Sequence, residues 1–202
     1  KFWATQLEQD PFLATFASHP SASVPDPSIA SFQHYQSIYQ ELLETLIHID
    51  LDALATPQDR LNCRILIAQL QVLSTIGQYP QFQVGLGFSV MMGPQVDIPE
   101  VVEATAFDTI EDYETYTVRL QNFPHYIDGT IEALRSAMSL GIVQPWKSMQ
   151  HVPDQIHSVL NQTLFFSPFE HPPNSVLSPQ TLGRFEQTKQ TARSLIHSQV
   201  RP

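Results

Sequence analysis

Apolar residues recur along most of this chain at steps of three and four, the spacing of one face of an α-helix. Two stretches show it most clearly, one after Asp26-Pro27 and one between Thr56-Pro57 and Gly77. The apolar positions are Ile29, Phe32, Tyr35, Tyr39, Leu42, Leu43, Leu46 and Ile47 in the first stretch, and Leu61, Ile65, Leu70, Leu73 and Ile76 in the second. The pattern predicts two long amphipathic helices, each with one face in a core.

Proline is frequent, at 16 residues, and several prolines follow a residue that can cap a helix. A helix tolerates proline best in its first turn, where the missing N–H would have no partner. Asp108 and Glu111 resemble a capping box, and Gly141 marks a helix end. Helices are therefore predicted to begin at Pro11, Pro27, Pro57, Pro124, Pro145, Pro153 and Pro179. The predicted fold is all-α, an array of antiparallel helices forming a single domain over residues 1–202.

One segment departs from the helical period. From Phe82 to Val90, apolar residues alternate with glutamine, glycine and serine. Strict alternation is the period of a strand, because successive strand side chains point to opposite faces. We expect one short extended segment near residues 82–90.

Charge and hydropathy exclude two classes of function. Lysine and arginine number 10 against 20 acidic residues, giving a formal charge of -10, and no basic run occurs. A surface that follows nucleic-acid phosphates is not expected. The longest nearly apolar run, residues 84–93, is about half of the roughly 20 residues that a membrane-spanning helix needs. We expect neither a nucleic-acid partner nor a membrane span, and the compartment stays open between cytoplasm and cell envelope.

Residues that bind metals or act as nucleophiles are sparse. The eight histidines include no pair four residues apart, and Cys63 is the single cysteine. We expect no metal site and no cofactor in this chain. Glu44 and His48 form either a surface pair on one helix or two ligands of a divalent ion that needs a third. Cys63 beside Arg64 is either reactive or structural, and the structural interpretation is favoured because no catalytic histidine can be assigned.

Three polar residues spaced by three form the best candidate for a substrate contact. Tyr113, Tyr116 and Arg119 lie near one another on a predicted helix, where they can contact a peptide backbone or a carboxylate. The competing interpretation is structural: the tyrosines pack at the core edge, and Arg119 pairs with a neighbouring acid.

The order of several short motifs resembles a known family. The motifs are Gly93-Pro94-Gln95-Val96-Asp97-Ile98-Pro99, Glu111-Asp112-Tyr113, Arg119-Leu120, Phe123-Pro124 with Ile127, and Ser167-Pro168-Phe169. In that order they resemble the N-terminal part of the bacterial family called domain of unknown function 885. The resemblance implies a largely helical, zincin-type zinc metallopeptidase longer than this chain.

What the resemblance implies for function depends on the part of the family that is matched. The zinc site of the family belongs to its C-terminal part, so no catalytic residue is placed on this chain and zinc is expected only in that other half. This chain is then an N-terminal scaffold that walls a substrate cleft, with the catalytic half and a peptide substrate as partners. The competing class is a non-enzymatic helical module that binds a protein through residues 82–92. A complete small enzyme is a third possibility.

The ends of the chain favour a larger parent. The sequence begins at Lys1 without an initiator methionine, and a helical pattern continues almost to the last residue. A helical layer that packs on another domain leaves apolar residues uncovered when that domain is absent. Candidates for this interdomain contact are Phe82, Phe88, Met91, Met92, Phe165, Phe166 and Phe169.

Overall fold

The computed structural model describes residues 1–19, 21–161 and 163–200, without the side chains of residues 83, 84 and 200. Its helices are α1 (Phe2–Gln9), α2 (Pro11–Phe16), α3 (Ile29–Ile47), α4 (Pro57–Ile76), α5 (Pro80–Leu86), α6 (Pro94–Ala104), α7 (Ile110–Ser139), α8 (Trp146–Met149), α9 (Val152–Asn161) and α10 (Leu182–Leu195). Short 3₁₀ turns lie at Leu51–Ala53 and Ser167–Phe169, and a π turn at Ile196–Val200 follows α10. No strand occurs in the described residues, which confirms the all-α prediction. The single-domain assignment stays a prediction.

Helices α2 and α4 begin at Pro11 and Pro57 as predicted, each after a capping side chain. The predicted starts at Pro27 and Pro179 are wrong, because α3 begins at Ile29 and α10 at Leu182. The Asp10 carboxylate accepts hydrogen bonds from the backbone N–H groups of Phe12 and Leu13, both at 3.0 Å, with Pro11 as the first residue of α2. Thr56 caps α4 in the same way, and Gly77 ends it. These side chains satisfy N–H groups that the first turn of a helix leaves without partners.

Helix α7 corrects two details of the prediction. The helix does not begin anew at Pro124 but runs through it, with Phe123 and Tyr126 buried on either side. Burial of one continuous face offsets the hydrogen bond that the proline removes. The capping box also lies one residue later than predicted, between Thr109 and Asp112.

The expected extended segment near residues 82–90 is wrong over most of its length. Residues Pro80–Leu86 form α5, and the only bridge in the described residues joins Ser89 to Met92. Packing against α7 explains the helix: a β-carbon added at Gly85 would lie 2.9 Å from Ala137 Cβ. The glycine that supplied part of the alternating pattern instead lets two helices approach closely.

The main hydrophobic core is rich in aromatic rings and is built on α7. Tyr113, Phe169 and Phe185 are fully buried, and their ring centroids lie 5.2 to 6.2 Å apart. We call this cluster, with its neighbours on α6, α7 and α10, the aromatic core. Edge and tilted contacts between aromatic rings add to the gain from burial.

A smaller core lies between α3 and α4. Its buried members are Tyr35, Tyr39 and Leu70, with partly buried leucines around them. Leu61, Ile65 and Ile76 were predicted to face inward but are exposed. The three- and four-residue steps marked more than one face of α4, and α3 covers only the face that carries Leu70.

Candidate functional site

The three residues predicted to contact substrate are all buried. The hydroxyl of Tyr113 donates to the carbonyl of Pro168, and that of Tyr116 donates to the carbonyl of Phe165, each at 3.1 Å. Burial raises the pKa of the Tyr116 hydroxyl above its usual value. The two tyrosines therefore anchor the segment around the turn at Ser167–Phe169, as the structural interpretation of their rings proposed.

Arg119 is 2% exposed, and its recorded acceptors are uncharged. Its Nη2 donates to Thr15 Oγ1 at 2.8 Å and to the Ser21 carbonyl, and its Nη1 lies 3.4 Å from Thr105 Oγ1. The expected acidic neighbour is not among these partners, so that part of the prediction is wrong. Nε has no acceptor within the described part of the chain.

Burial of this cation has an electrostatic consequence. Desolvation lowers the pKa of Arg119 to about 10. The group is still charged at neutral pH, where a guanidinium without a counter-ion is costly to bury. The nearest acidic residues toward the start of α7, Glu111, Asp112 and Glu114, lie five to eight positions from Arg119, beyond the three- or four-residue spacing at which side chains on one helix pair.

A cavity of about 120 Å³ lies over Arg119. Hydroxyl groups dominate its polar lining, and the start of α7 forms one side. The serine and threonine residues of the lining are Thr15, Ser18, Ser21, Thr105 and Thr115, and Tyr116 also borders the cavity, with its hydroxyl bonded to the Phe165 carbonyl. Asp112 also borders it, but one oxygen of that carboxylate already accepts from the backbone N–H groups of Asp108 and Thr109.

A larger groove of about 440 Å³ runs between α6, α7 and α9. Its lining is mainly apolar and includes Phe88, Ile127, Ile131 and Leu134. Gln95 lies at its wall, buried, with a side-chain oxygen that has no donor among the described residues. An apolar groove with a few polar groups has the usual composition of a ligand site.

A third pocket, of about 430 Å³, is acidic. Asp10, Asp26, Asp97 and Glu100 line it together with Tyr126, whose hydroxyl donates to Asp97 at 3.0 Å. Burial, with smaller contributions from Glu100 and Asp10, raises the pKa of Asp97 above its usual value despite that hydrogen bond.

Large apolar side chains are exposed together at one end of the molecule. Hydrogen bonds join the parts of this end: Val90 N–H donates to the Ser148 carbonyl at 3.0 Å, and the Gln144 side chain donates to the Leu86 carbonyl. Met91 is 79% exposed and Trp146 is 74% exposed. We define the exposed apolar end by Phe82, Leu86, Met91, Met92, Met138, Leu140, Val143 and Trp146.

The predicted interdomain residues divide between this end and the interior. Phe82, Met91 and Met92 are exposed, whereas Phe88 and Phe166 are half-buried. Phe165 and Phe169 are buried, so the prediction that they would be uncovered is wrong. The proline-broken segment that carries them folds back onto α7, where Tyr113 and Tyr116 hold it.

The other candidates show no catalytic arrangement. Within the described residues, no group of three histidine, cysteine, aspartate or glutamate side chains is placed to hold a metal ion. His48 Nδ1 lies 2.6 Å from the Glu44 backbone carbonyl. Cys63 is half-buried and free. A search of the described helices finds none long and apolar enough to cross a membrane.

Comparison with known proteins gives a family without a described activity. No curated protein matches the chain. A family model matches residues 11–202, nearly the whole sequence, including the helices that build the cavity, the groove and the exposed apolar end. The chain belongs to the family described as bacterial protein of unknown function (DUF885).

Proposed function

We propose that this chain is an N-terminal helical scaffold domain of a zinc-dependent peptidase, and that it forms one wall of the substrate cleft. The catalytic half of the parent supplies zinc and the general base, and this chain is inactive alone. Support comes from membership of the family, from the order of motifs that resembles the N-terminal part of a zincin-type peptidase, and from the exposed apolar end.

The exposed apolar end is the observation that carries the proposal. Met91, Met138 and Trp146 come from three separate segments, yet all are well exposed and lie on parts of the chain joined by hydrogen bonds. Exposing such a patch to water is unfavourable, at roughly 25 cal/mol for each Å² of apolar surface. Large exposed apolar patches are uncommon on monomeric proteins, and a surface that binds another protein is one of their usual causes.

The apolar groove supports the role as a cleft wall. Phe88 lines the groove and lies between α5 and Met91, so the groove and the exposed apolar end adjoin. Gln155 ties this region together, because its amide donates to the Val90 carbonyl at 2.9 Å. A catalytic half docked on the exposed apolar end would leave the groove beside the interface, where an apolar peptide side chain can enter it.

One observation favours the alternative, a non-enzymatic module that binds another protein. All four methionines lie at or beside the exposed apolar end: Met91, Met92, Met138 and Met149. Methionine is flexible and polarisable, and surfaces rich in it bind many helical partners. A module of this kind needs no catalytic half.

The test is reconstitution from two chains. The remainder of the parent, purified separately, is mixed with this chain, and hydrolysis of a peptide library is measured with zinc present. We expect activity in the mixture and little in either chain alone. A variant with Met91→Glu and Trp146→Glu places two charges in the interface and should abolish both association and activity.

A matched variant separates docking from a general effect of charge. Ile65→Glu and Val72→Glu put the same charges on two exposed apolar residues of α4 that are not among the residues defining the exposed apolar end. This variant should reconstitute activity as the wild type does. A remainder that is fully active alone and ignores this chain would contradict the scaffold proposal and favour the binding module.

A further inference from the structure

We propose that the cavity over Arg119 is a carboxylate-binding site, in which the guanidinium holds one carboxylate group and the surrounding hydroxyls complete its hydrogen bonds. The site lies within this chain, and carboxylate binding there does not depend on the proposed peptidase role. It assigns a ligand class to a site whose residues all belong to the described part of the chain.

The charge of Arg119 is the first argument. The Arg119 residue is 2% exposed, and each acceptor of its guanidinium in the described structure is a hydroxyl or a carbonyl. Nε lacks an acceptor among the described residues. A buried cation of this kind gains strongly from an anion, since a charge-assisted hydrogen bond is about twice as strong as a neutral one.

The backbone at Ser18 is the second argument. Ser18 has φ of 60°, and it follows α2 in a Schellman motif in which His19 N–H donates to the Ala14 carbonyl at 2.8 Å and Ser18 N–H donates to the Thr15 carbonyl at 3.0 Å. Glycine is the usual residue at this position because a side chain in the left-handed region is strained. The serine that replaces it lines the cavity.

The serine and threonine hydroxyls of the cavity differ in whether their O–H group already donates a hydrogen bond. Thr15 Oγ1 and Thr105 Oγ1 already donate to the carbonyls of Pro11 and Val101 and accept from Arg119. Ser18 and Thr115 line the same cavity with no recorded acceptor for their hydroxyls in the described structure. Their O–H groups are thus the ones that can turn toward a bound anion.

Size and charge select a carboxylate over a larger or more highly charged anion. A volume of about 120 Å³ equals the space of about four water molecules, which is enough for one carboxylate group. The described lining has one cation, Arg119, and one nearby carboxylate, Asp112. A phosphate dianion would lack a second positive charge and would face Asp112, so the monoanion fits better.

A carboxylate can reach this cavity from two sources: the C-terminus of a peptide, or an acidic side chain of another segment or protein. The experiment uses the intact 202-residue chain with ¹⁵N-labelled arginine and follows the Nε–H signal of Arg119 by NMR. The probes are N-acetyl-Ala-Ala with a free carboxylate, its C-terminal amide, and N-acetyl-Ala-Glu-Ala-amide. Sodium chloride at matched ionic strength is the salt control.

We expect a saturable shift of the Arg119 signal with at least one of the two carboxylate peptides, and none with the neutral amide or with chloride. A response to the free C-terminus alone identifies a peptide end as the source, and a response to the glutamate peptide alone identifies an acidic side chain. The absence of any saturable shift with both carboxylate peptides would overturn the proposal. A shift equal in size with the neutral amide would overturn it as well.

Two variants sharpen the assignment. Arg119→Met should lose carboxylate-dependent thermal stabilisation, whereas Arg184→Met, which removes an exposed arginine, should keep it. Ser18→Gly should bind the responding peptide about fivefold more weakly, the loss expected for one hydrogen bond of ordinary strength. If Ser18→Gly binds the peptide as tightly as the wild type, the strained serine has no part in the site.

Discussion

The aromatic core and the α3–α4 pair bury their apolar residues to very different degrees. Around α7, tyrosines and phenylalanines from several segments are buried, and the hydroxyls of Tyr113 and Tyr116 donate to backbone carbonyls. Between α3 and α4 the buried set is Tyr35, Tyr39 and Leu70, while Leu61 and Val72 on α4 stay exposed. The sequences of both regions show apolar residues at similar helical spacing.

The difference between the two regions comes from the number of elements that cover each helix. α7 is covered by α5, α10 and the turn at Ser167–Phe169, so that rings on several of its faces are buried. α4 packs mainly on α3, so only one stripe of it is buried. Stability should therefore be concentrated around α7, and variants of equal chemistry should cost more there.

Phe185→Ala should give the largest effect. Phe185 is fully buried against the rings of Tyr113 and Phe169. Its loss should lower the free energy of unfolding by about 3–5 kcal/mol, the usual cost of removing a buried phenylalanine. Urea unfolding followed by circular dichroism measures this. Phe16→Ala, the same change at a residue that is half exposed, is the control and should cost far less.

Leu70→Ala tests the other region. Leu70 is completely buried between α3 and α4. The free energy of unfolding should fall by about 2 kcal/mol, the lower end of the range for a buried leucine, because a thin layer can collapse into the space left behind. Leu61→Ala, on the exposed side of α4, should be nearly neutral. If Leu70→Ala costs as much as Phe185→Ala, the contrast between the two regions fails.

Ser18→Gly should stabilise the chain. The substitution removes the side chain from a residue at φ of 60°, and relief of left-handed strain is worth about 1 kcal/mol, less the entropy gained by the unfolded glycine. Thermal unfolding should show a modest rise in Tm. Ser23→Gly in the following loop is the control and should not raise it. A fall in Tm for Ser18→Gly would show that the serine hydroxyl contributes more to folding than its strain costs.

Asp97→Asn should have a small effect that depends on pH. The pKa of Asp97 is raised in the folded chain, mainly by burial, so its ionised form is disfavoured there relative to the unfolded state. Below the unfolded pKa, about 3.8, Asp97 is protonated and makes its full contribution to the free energy of unfolding. That contribution is lost as the pH rises through the pKa of Asp97 in the folded chain. The variant should therefore have a higher free energy of unfolding than the wild type near pH 7. This difference in free energy should become smaller as the pH falls.

The comparison for this prediction is Asp52→Asn, at an exposed position in the turn at Leu51–Ala53. Chemical unfolding of both variants and the wild type at a series of pH values gives the slope of the free energy of unfolding against pH for each protein. If the free energy of unfolding of Asp97→Asn, relative to the wild type, rises as the pH falls, the hydrogen bond from Tyr126 has a larger effect on the pKa of Asp97 than burial has.

Capping residues in the sequence predicted several helix ends, because they act over a few positions. Features that depend on packing between distant segments could not be predicted from the sequence. Asp10, Thr56 and Gly77 marked helix ends correctly because capping depends on residues a few positions apart. The helix at Pro80–Leu86 was missed because the close packing of Gly85 on Ala137 of α7, 52 residues later in the chain, outweighs a short alternating pattern.

The candidate site shows the same division. Sequence spacing brought Tyr113, Tyr116 and Arg119 together correctly, since one helix sets their positions. It did not show that the acceptors of Arg119 come from α2, from the loop after α2 and from the residue that follows α6. Nor did it show that Trp146 and Met138 join Met91 at one end, because long-range packing alone brings them together.

The most direct measurement compares the accessibility of the two tryptophans. Trp146 belongs to the exposed apolar end, and Trp3, which is 52% exposed on α1, does not. Acrylamide quenching of fluorescence is recorded for Trp3→Phe and Trp146→Phe, each in this chain alone and with the proposed catalytic remainder bound or fused. We expect quenching of Trp146 to fall several-fold when the remainder is present while that of Trp3 is unchanged. Equal quenching of Trp146 with and without the remainder would contradict docking at the exposed apolar end.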